Sequence, residues 1–96
     1  MSDGAGQRKW GADNWKILKR RLAALRAAPT LRDMEGTPGR CHALGADRKG
    51  QFALDLWSAV RLVFSPESPA PLREDGGIDL VQVTSIVIEE VVDYHG

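Results

Sequence analysis

The residues of this 96-residue chain that could do acid–base chemistry are few: two histidines, one tyrosine and a small set of cations and carboxylates. His42 stands just before the turn Asp47-Arg48-Lys49-Gly50, and His95 closes the chain's last apolar run beside Asp93 and Tyr94. Arg61 sits inside the apolar segment Val60-Arg61-Leu62-Val63-Phe64. A groove that gathered His, Asp, Arg and Lys would suit phosphodiester cleavage. That reaction needs a base for the 2′-hydroxyl, an acid for the leaving oxygen and cations for the pentacovalent phosphate.

Each of these residues also has a plainer reading. A histidine near a chain end is commonly an exposed surface group. Tyr94 reads equally as a core or edge aromatic. Arg61 on a strand suits a cross-strand ion pair with Asp55 or Glu89. Arg48 and Lys49 suit a solvated turn. Two histidines among scattered carboxylates make no metal motif, and the sequence holds no Gly-rich phosphate loop, nucleophile elbow or HExxH. It implies no metal and no cofactor.

The elements that must position these groups follow from periodicity. Trp15, Leu18, Leu22 and Leu25 form one apolar stripe at helical spacing, with Lys16, Lys19, Arg20 and Arg26 off it. The pattern predicts a helix that Asp13 or Asn14 caps and that ends at Ala28, before Pro29. Thr30 then caps a short helical turn over 31–35, closed by Gly36. From residue 40 the period becomes two. Residues 41–44 read as a short strand, 51–57 as a half-buried strand and 60–64 as the second arm of a hairpin linked by Trp57-Ser58-Ala59. If Val60, Leu62 and Phe64 face the helices, Arg61 faces the other side of the sheet. Residues 65–77 form a long loop with three prolines. The last run, 83–94, is apolar on both faces through Ile86-Val87-Ile88 and reads as a central, well-covered strand. Asp93 and His95 share a face by alternation.

Helices before an antiparallel sheet give an α+β fold, and the length gives one domain over 1–96, with 1–11 disordered. A chain this short buries only about 60–65% of its unfolded surface, so its stability is marginal. One cysteine, Cys41, permits no internal disulfide and fits a reducing compartment. No apolar stretch reaches the roughly 18 residues of a membrane span, and 1–11 lack a signal-peptide h-region. These features imply a soluble cytoplasmic protein. The net charge of zero hides an asymmetry. Residues 1–50 carry 11 Lys/Arg against 5 Asp/Glu, whereas 51–96 carry 2 against 8. The asymmetry suits either a phosphate-bearing partner for the basic half or attraction between the two halves.

The run Pro38-Gly39-Arg40-Cys41-His42-Ala43-Leu44-Gly45-Ala46-Asp47-Arg48-Lys49-Gly50-Gln51-Phe52 resembles the HigB branch of the RelE/ParE toxin superfamily. So do the strand Val60-Arg61-Leu62-Val63-Phe64 and the ending Glu89-Glu90-Val91-Val92-Asp93-Tyr94-His95. The helix phrase Arg20-Arg21-Leu22-Ala23-Ala24-Leu25-Arg26-Ala27-Ala28-Pro29 precedes them in the order the family uses. The resemblance covers about residues 8–96.

It implies a RelE-like fold and a type II toxin–antitoxin toxin that cuts translating mRNA on the ribosome without a metal. It also implies a helix-turn-helix, HigA-like antitoxin as partner. Carried over by position, His42, Arg61, Asp93, Tyr94 and His95 are the catalytic set, with Tyr94 or His95 moving the proton. Arg48 and Lys49 contact RNA, and Arg61 also steadies transition-state charge. Two departures qualify the match. Gly45 stands where the family commonly has a catalytic lysine, so cleavage is weak unless Lys49 substitutes. Residues 1–11 lack the family's first strand, so either the true start lies upstream or a sheet edge is exposed, which favours partner binding or a homodimer. Two alternatives stay open: a ParE-like topoisomerase inhibitor, and a non-catalytic relative that only binds its antitoxin.

Overall fold

The computed structural model describes residues 10–45, 48 and 50–93. Its architecture is α+β. A long helix, α1 (Ala12–Ala27), and a short 3₁₀ turn, η1 (Leu31–Met34), precede the strands β1 (His42–Ala43), β2 (Phe52–Asp55), β3 (Val60–Pro66) and β4 (Ile86–Asp93). A second 3₁₀ turn, η2 (Leu80–Gln82), lies just before β4. The sheet is antiparallel throughout, in the order β1-β2-β3-β4.

The expected stripe does form the inner face of α1: Trp15 and Leu18 are buried, with Leu22 and Leu25 packed beside them. The start of the helix differs from expectation. Gly11 occupies the cap position at φ 87°, with no side-chain cap hydrogen bond, and Asp13 falls inside the first turn. There its charge favours the positive end of the helix, which accounts for an acidic residue without a capping geometry. The end comes as expected: Ala28 turns extended at ψ 124°, immediately before Pro29. In η1 the Asp33 carboxylate accepts hydrogen bonds from the Thr30 backbone N–H (2.9 Å) and hydroxyl (2.8 Å), locking the turn. Leu31 and Met34 are buried beneath it.

The core lies between these helices and one face of the sheet. Val60, Leu62 and Phe64 of β3 alternate into it and meet Phe52 and Leu54 of β2. Phe52 and Phe64 are cross-strand partners whose rings stack at 6.0 Å. The β2–β3 link is tight: the Val60 N–H bonds to the Trp57 carbonyl at 2.8 Å, and Ser58 takes a left-handed φ of 50°. Trp57 in turn meets the Trp10 ring edge-on at 5.7 Å, so Trp10 belongs to the folded part of the N-terminal segment. The expectation of disorder over the first nine residues falls outside the described ones.

Two expectations about the sheet are corrected. Ala53 is fully buried, as is Val63 opposite it, so the middle of the sheet is covered on both faces. The last strand is not central. It begins at Ile86, because Val83 follows the η2 turn and is anchored by the bond from the Leu31 N–H to the Val83 carbonyl. Among the described residues nothing pairs beyond β4, and Val87 and Ile88 are 46% and 45% exposed. A run apolar on both faces reads as central by composition, but topology decides otherwise: the chain returns beside β3 on the side away from β2. A bulge between Val63 and Phe64 leaves Glu89 as the extra residue of β4.

Gly39 fixes the entry into the sheet. Its φ is 103°, its carbonyl accepts the Asp55 N–H at 2.6 Å, and a Cβ there would lie 3.1 Å from the Asp55 carbonyl and closer still to the Arg21 side chain. Gly36, at φ 81°, has open space instead. Gly39→Ala should therefore lower the unfolding free energy by about 2 kcal/mol or more, and Gly36→Ala by about 1. Urea denaturation of the two variants checks the ranking.

Candidate functional site

Side chains opposite one another in an antiparallel pair share a face, so the register assigns the site residues directly. His42 is opposite Ala53, Ala53 opposite Val63, and Val63 opposite Glu90. A second row runs Asp55–Arg61–Val92. Both rows lie on the face away from the helices. The expectation that Arg61 faces this side holds, and His42 joins it there.

Arg48 reaches the same face from the β1–β2 connection. Its guanidinium donates to the Gln51 side-chain oxygen at 3.2 Å and lies 3.5 Å from the Glu90 carboxylate. Gln51 immediately precedes β2 and Glu90 lies on β4, so the Arg48 side chain crosses the sheet above β3. Ala53 and Val63 are buried on this otherwise polar face. The loop is held by backbone bonds from the Arg48 N–H to the Gly45 carbonyl (3.0 Å) and from the Gln51 N–H to the Arg48 carbonyl (3.0 Å).

Asp55 organises the other row. One carboxylate oxygen lies 3.2 Å from Arg61 Nε and the other 3.0 Å from Arg40 Nε. The Arg40 contact is an aligned hydrogen bond, whereas the oxygen beside Arg61 makes none, so that contact is ionic. Of the two cross-strand partners expected for Arg61, Asp55 is the one present here; Glu89 instead accepts from the Ser65 hydroxyl at 2.8 Å.

Arg40 also sets the chemistry of His42. It takes a left-handed φ of 49°, uncommon for a branched-chain-free but bulky side chain, and turns its carbonyl to within 2.7 Å of His42 Nδ1. A carbonyl only accepts, so Nδ1 carries a proton, and in the neutral ring Nε2 is left as the basic nitrogen. A histidine held this way can accept a proton at a defined atom.

The structure does not bring every expected residue to this face. Asp93 is opposite Val60, which points into the core, so its register places it on the opposite, core-side face, at the end of the sheet. Alternation from Arg61, continued through the pairing with β4, puts Val92 rather than Asp93 beside it. Lys49, Tyr94 and His95 lie outside the described residues. Sequence reasoning gave no role to Arg40, Gln51 or Glu90. The Arg40 backbone geometry has no sequence signal, but the Arg48–Glu90 pair joins the basic and acidic halves, as their opposite charges allow. Gly45 follows β1, outside the left-handed region, and a Cβ there would meet nothing within 4 Å.

Among the described residues no cluster of His, Cys, Asp and Glu could hold a metal ion, and no helix is long and apolar enough to cross a membrane. No family model matches the chain, and no curated protein matches it either.

Cys41, next to His42, is held as the thiol. Burial, reinforced by the nearby Glu35 carboxylate, pushes its thiol up to about 11. Because that value is raised, the protonated thiol favours the folded state up to the ordinary thiol range, and the contribution disappears as pH climbs from about 9 to 11. At pH 8.5, iodoacetamide should alkylate the folded chain about ten-fold or more slowly than a free thiol, with the gap closing in urea.

Proposed function

We propose that the chain is a HigB-like toxin of the RelE/ParE superfamily, a metal-independent endoribonuclease that cuts mRNA on the ribosome, with a helix-turn-helix antitoxin as its partner. The observation that carries this reading is the gathering of His42, Arg48 and Arg61 on one sheet face, with Arg40 beside them. His42 Nε2 is the proton acceptor available to a 2′-hydroxyl. As the 2′-oxygen attacks the phosphorus, the bond to the 5′-oxygen breaks, leaving a 2′,3′-cyclic phosphate and a 5′-hydroxyl. Arg48, Arg61 and Lys49 meet the charge that builds on the phosphate, and Tyr94 or His95 supplies the proton to the leaving oxygen.

A second reading has its own support. Asp55 and Glu90 already engage Arg61 and Arg48, and Gly45 offers no cation. A face neutralised in this way suits a relative that binds its antitoxin without cutting RNA. RNA cleavage requires the phosphate to displace those carboxylates.

Gly45→Lys separates the two, because the site has room for the side chain. The chain, Gly45→Lys and Gly45→Lys with His42→Ala should be induced in bacteria and mRNA 5′ ends mapped by primer extension. Cuts within translated codons that Gly45→Lys strengthens about ten-fold or more, and that His42→Ala removes, are the expected outcome. Uncut mRNA with normal growth for all three would favour the binding-only relative. Uncut mRNA with arrested growth would move the reading to a topoisomerase-type inhibitor.

A further inference from the structure

We infer that the outer edge of β4 is a docking edge for a strand of a partner protein that carries a basic pair flanked by apolar residues, added to the sheet by main-chain hydrogen bonds. This inference is independent of whether the sheet face cuts RNA.

β4 is eight residues long, and among the described residues its far side has no strand. An edge of that length presents a row of backbone donors and acceptors suited to pairing with another chain. Its side chains are apolar where an edge strand in contact with water is usually polar: Val87 and Ile88 are nearly half exposed, at 46% and 45%. An added strand would cover both. The middle of the edge is acidic: Glu89, which accepts from Ser65, and Glu90, which pairs with Arg48, are both exposed.

Charge selects the occupant. A second copy would pair antiparallel about a two-fold axis. Centred on the glutamates, that pairing sets Glu89 against Glu90 of the copy; shifted along the strand, it sets carboxylates against Val87 or Ile88. The first arrangement repels and the second desolvates a carboxylate on an apolar neighbour. A strand bearing Lys or Arg opposite Glu89 and Glu90, with Val or Ile opposite Val87 and Ile88, meets neither penalty. The glutamates thus reject self-pairing and admit an oppositely charged strand, which is specificity by repulsion as well as attraction. The bulge at Glu89 adds local twist but leaves three residues before it and four after it in register with β3.

The test uses two end-blocked hexapeptides, Val-Val-Lys-Lys-Val-Val and Val-Val-Glu-Glu-Val-Val, with the isotope-labelled full chain. Amide hydrogen exchange of residues 86–93 is followed by NMR at low salt and at about 0.5 M salt. The Lys/Val peptide should slow exchange there about ten-fold or more at low salt and much less at high salt, while the Glu/Val peptide has no effect. Glu89→Lys with Glu90→Lys should reverse the preference. Equal protection by both peptides, or protection by neither, overturns the inference. So does concentration-dependent protection of 86–93 in the chain alone, which would show a second copy on the edge.

Discussion

The pairing of β2 with β3, in which Phe52 faces Phe64, is the constraint on which the rest of this small fold depends. The stacked rings anchor the core-facing row, and every polar feature of the opposite face follows from the same alignment. A slip of β3 by one residue against β2 would turn Arg61 into the core and expel Leu62. The aromatic pair and the tight link at Ser58 specify the register from both ends of the hairpin, so the position of the charged face is set by apolar packing on its reverse.

The opposite charges of the two halves of the sequence also find a use in this geometry. Arg40 and Arg48 belong to the basic half and meet Asp55 and Glu90 from the acidic half. Such exposed or half-exposed pairs contribute little stability, on the order of 0–1 kcal/mol each. Their larger effect is positional. The Arg40–Asp55 pair ties the segment before β1 to β2, and the Arg48–Glu90 pair spans the sheet from the β1–β2 connection to β4. An asymmetry that suggests a polyanionic partner is thus partly satisfied within the molecule.

Alternation and breakers made much of this legible. The helix stripe, its stop before Pro29, the Thr30 turn, the hairpin and the side of the sheet that Arg61 occupies all follow from local pattern. What pattern does not encode is which strand lands at the edge. The run Ile86-Val87-Ile88 carries the composition of a buried strand, and only the path of the chain through residues 67–85 decides that β4 has one neighbour among the described residues. The same gap explains Asp93: its proximity in sequence to Tyr94 and His95 groups it with them, but pairing with Val60 separates it from Arg61. The left-handed Arg40 lies beyond any propensity argument, because the strain is imposed by Gly39 packed against β2 on one side and His42 bonded to the Arg40 carbonyl on the other.

The carboxylates beside Arg40, Arg48 and Arg61 have a consequence for any anion that approaches this face. Asp55 and Glu90 are tethered competitors, present at a high effective concentration that a free ligand must exceed. A lone phosphate diffusing in solution competes poorly with them. A chain of phosphates held in place by another body does so far better, because each displaced carboxylate is matched by a neighbouring charge already in position. An anion is bound on this face only to the extent that it outcompetes carboxylates the fold already holds in place.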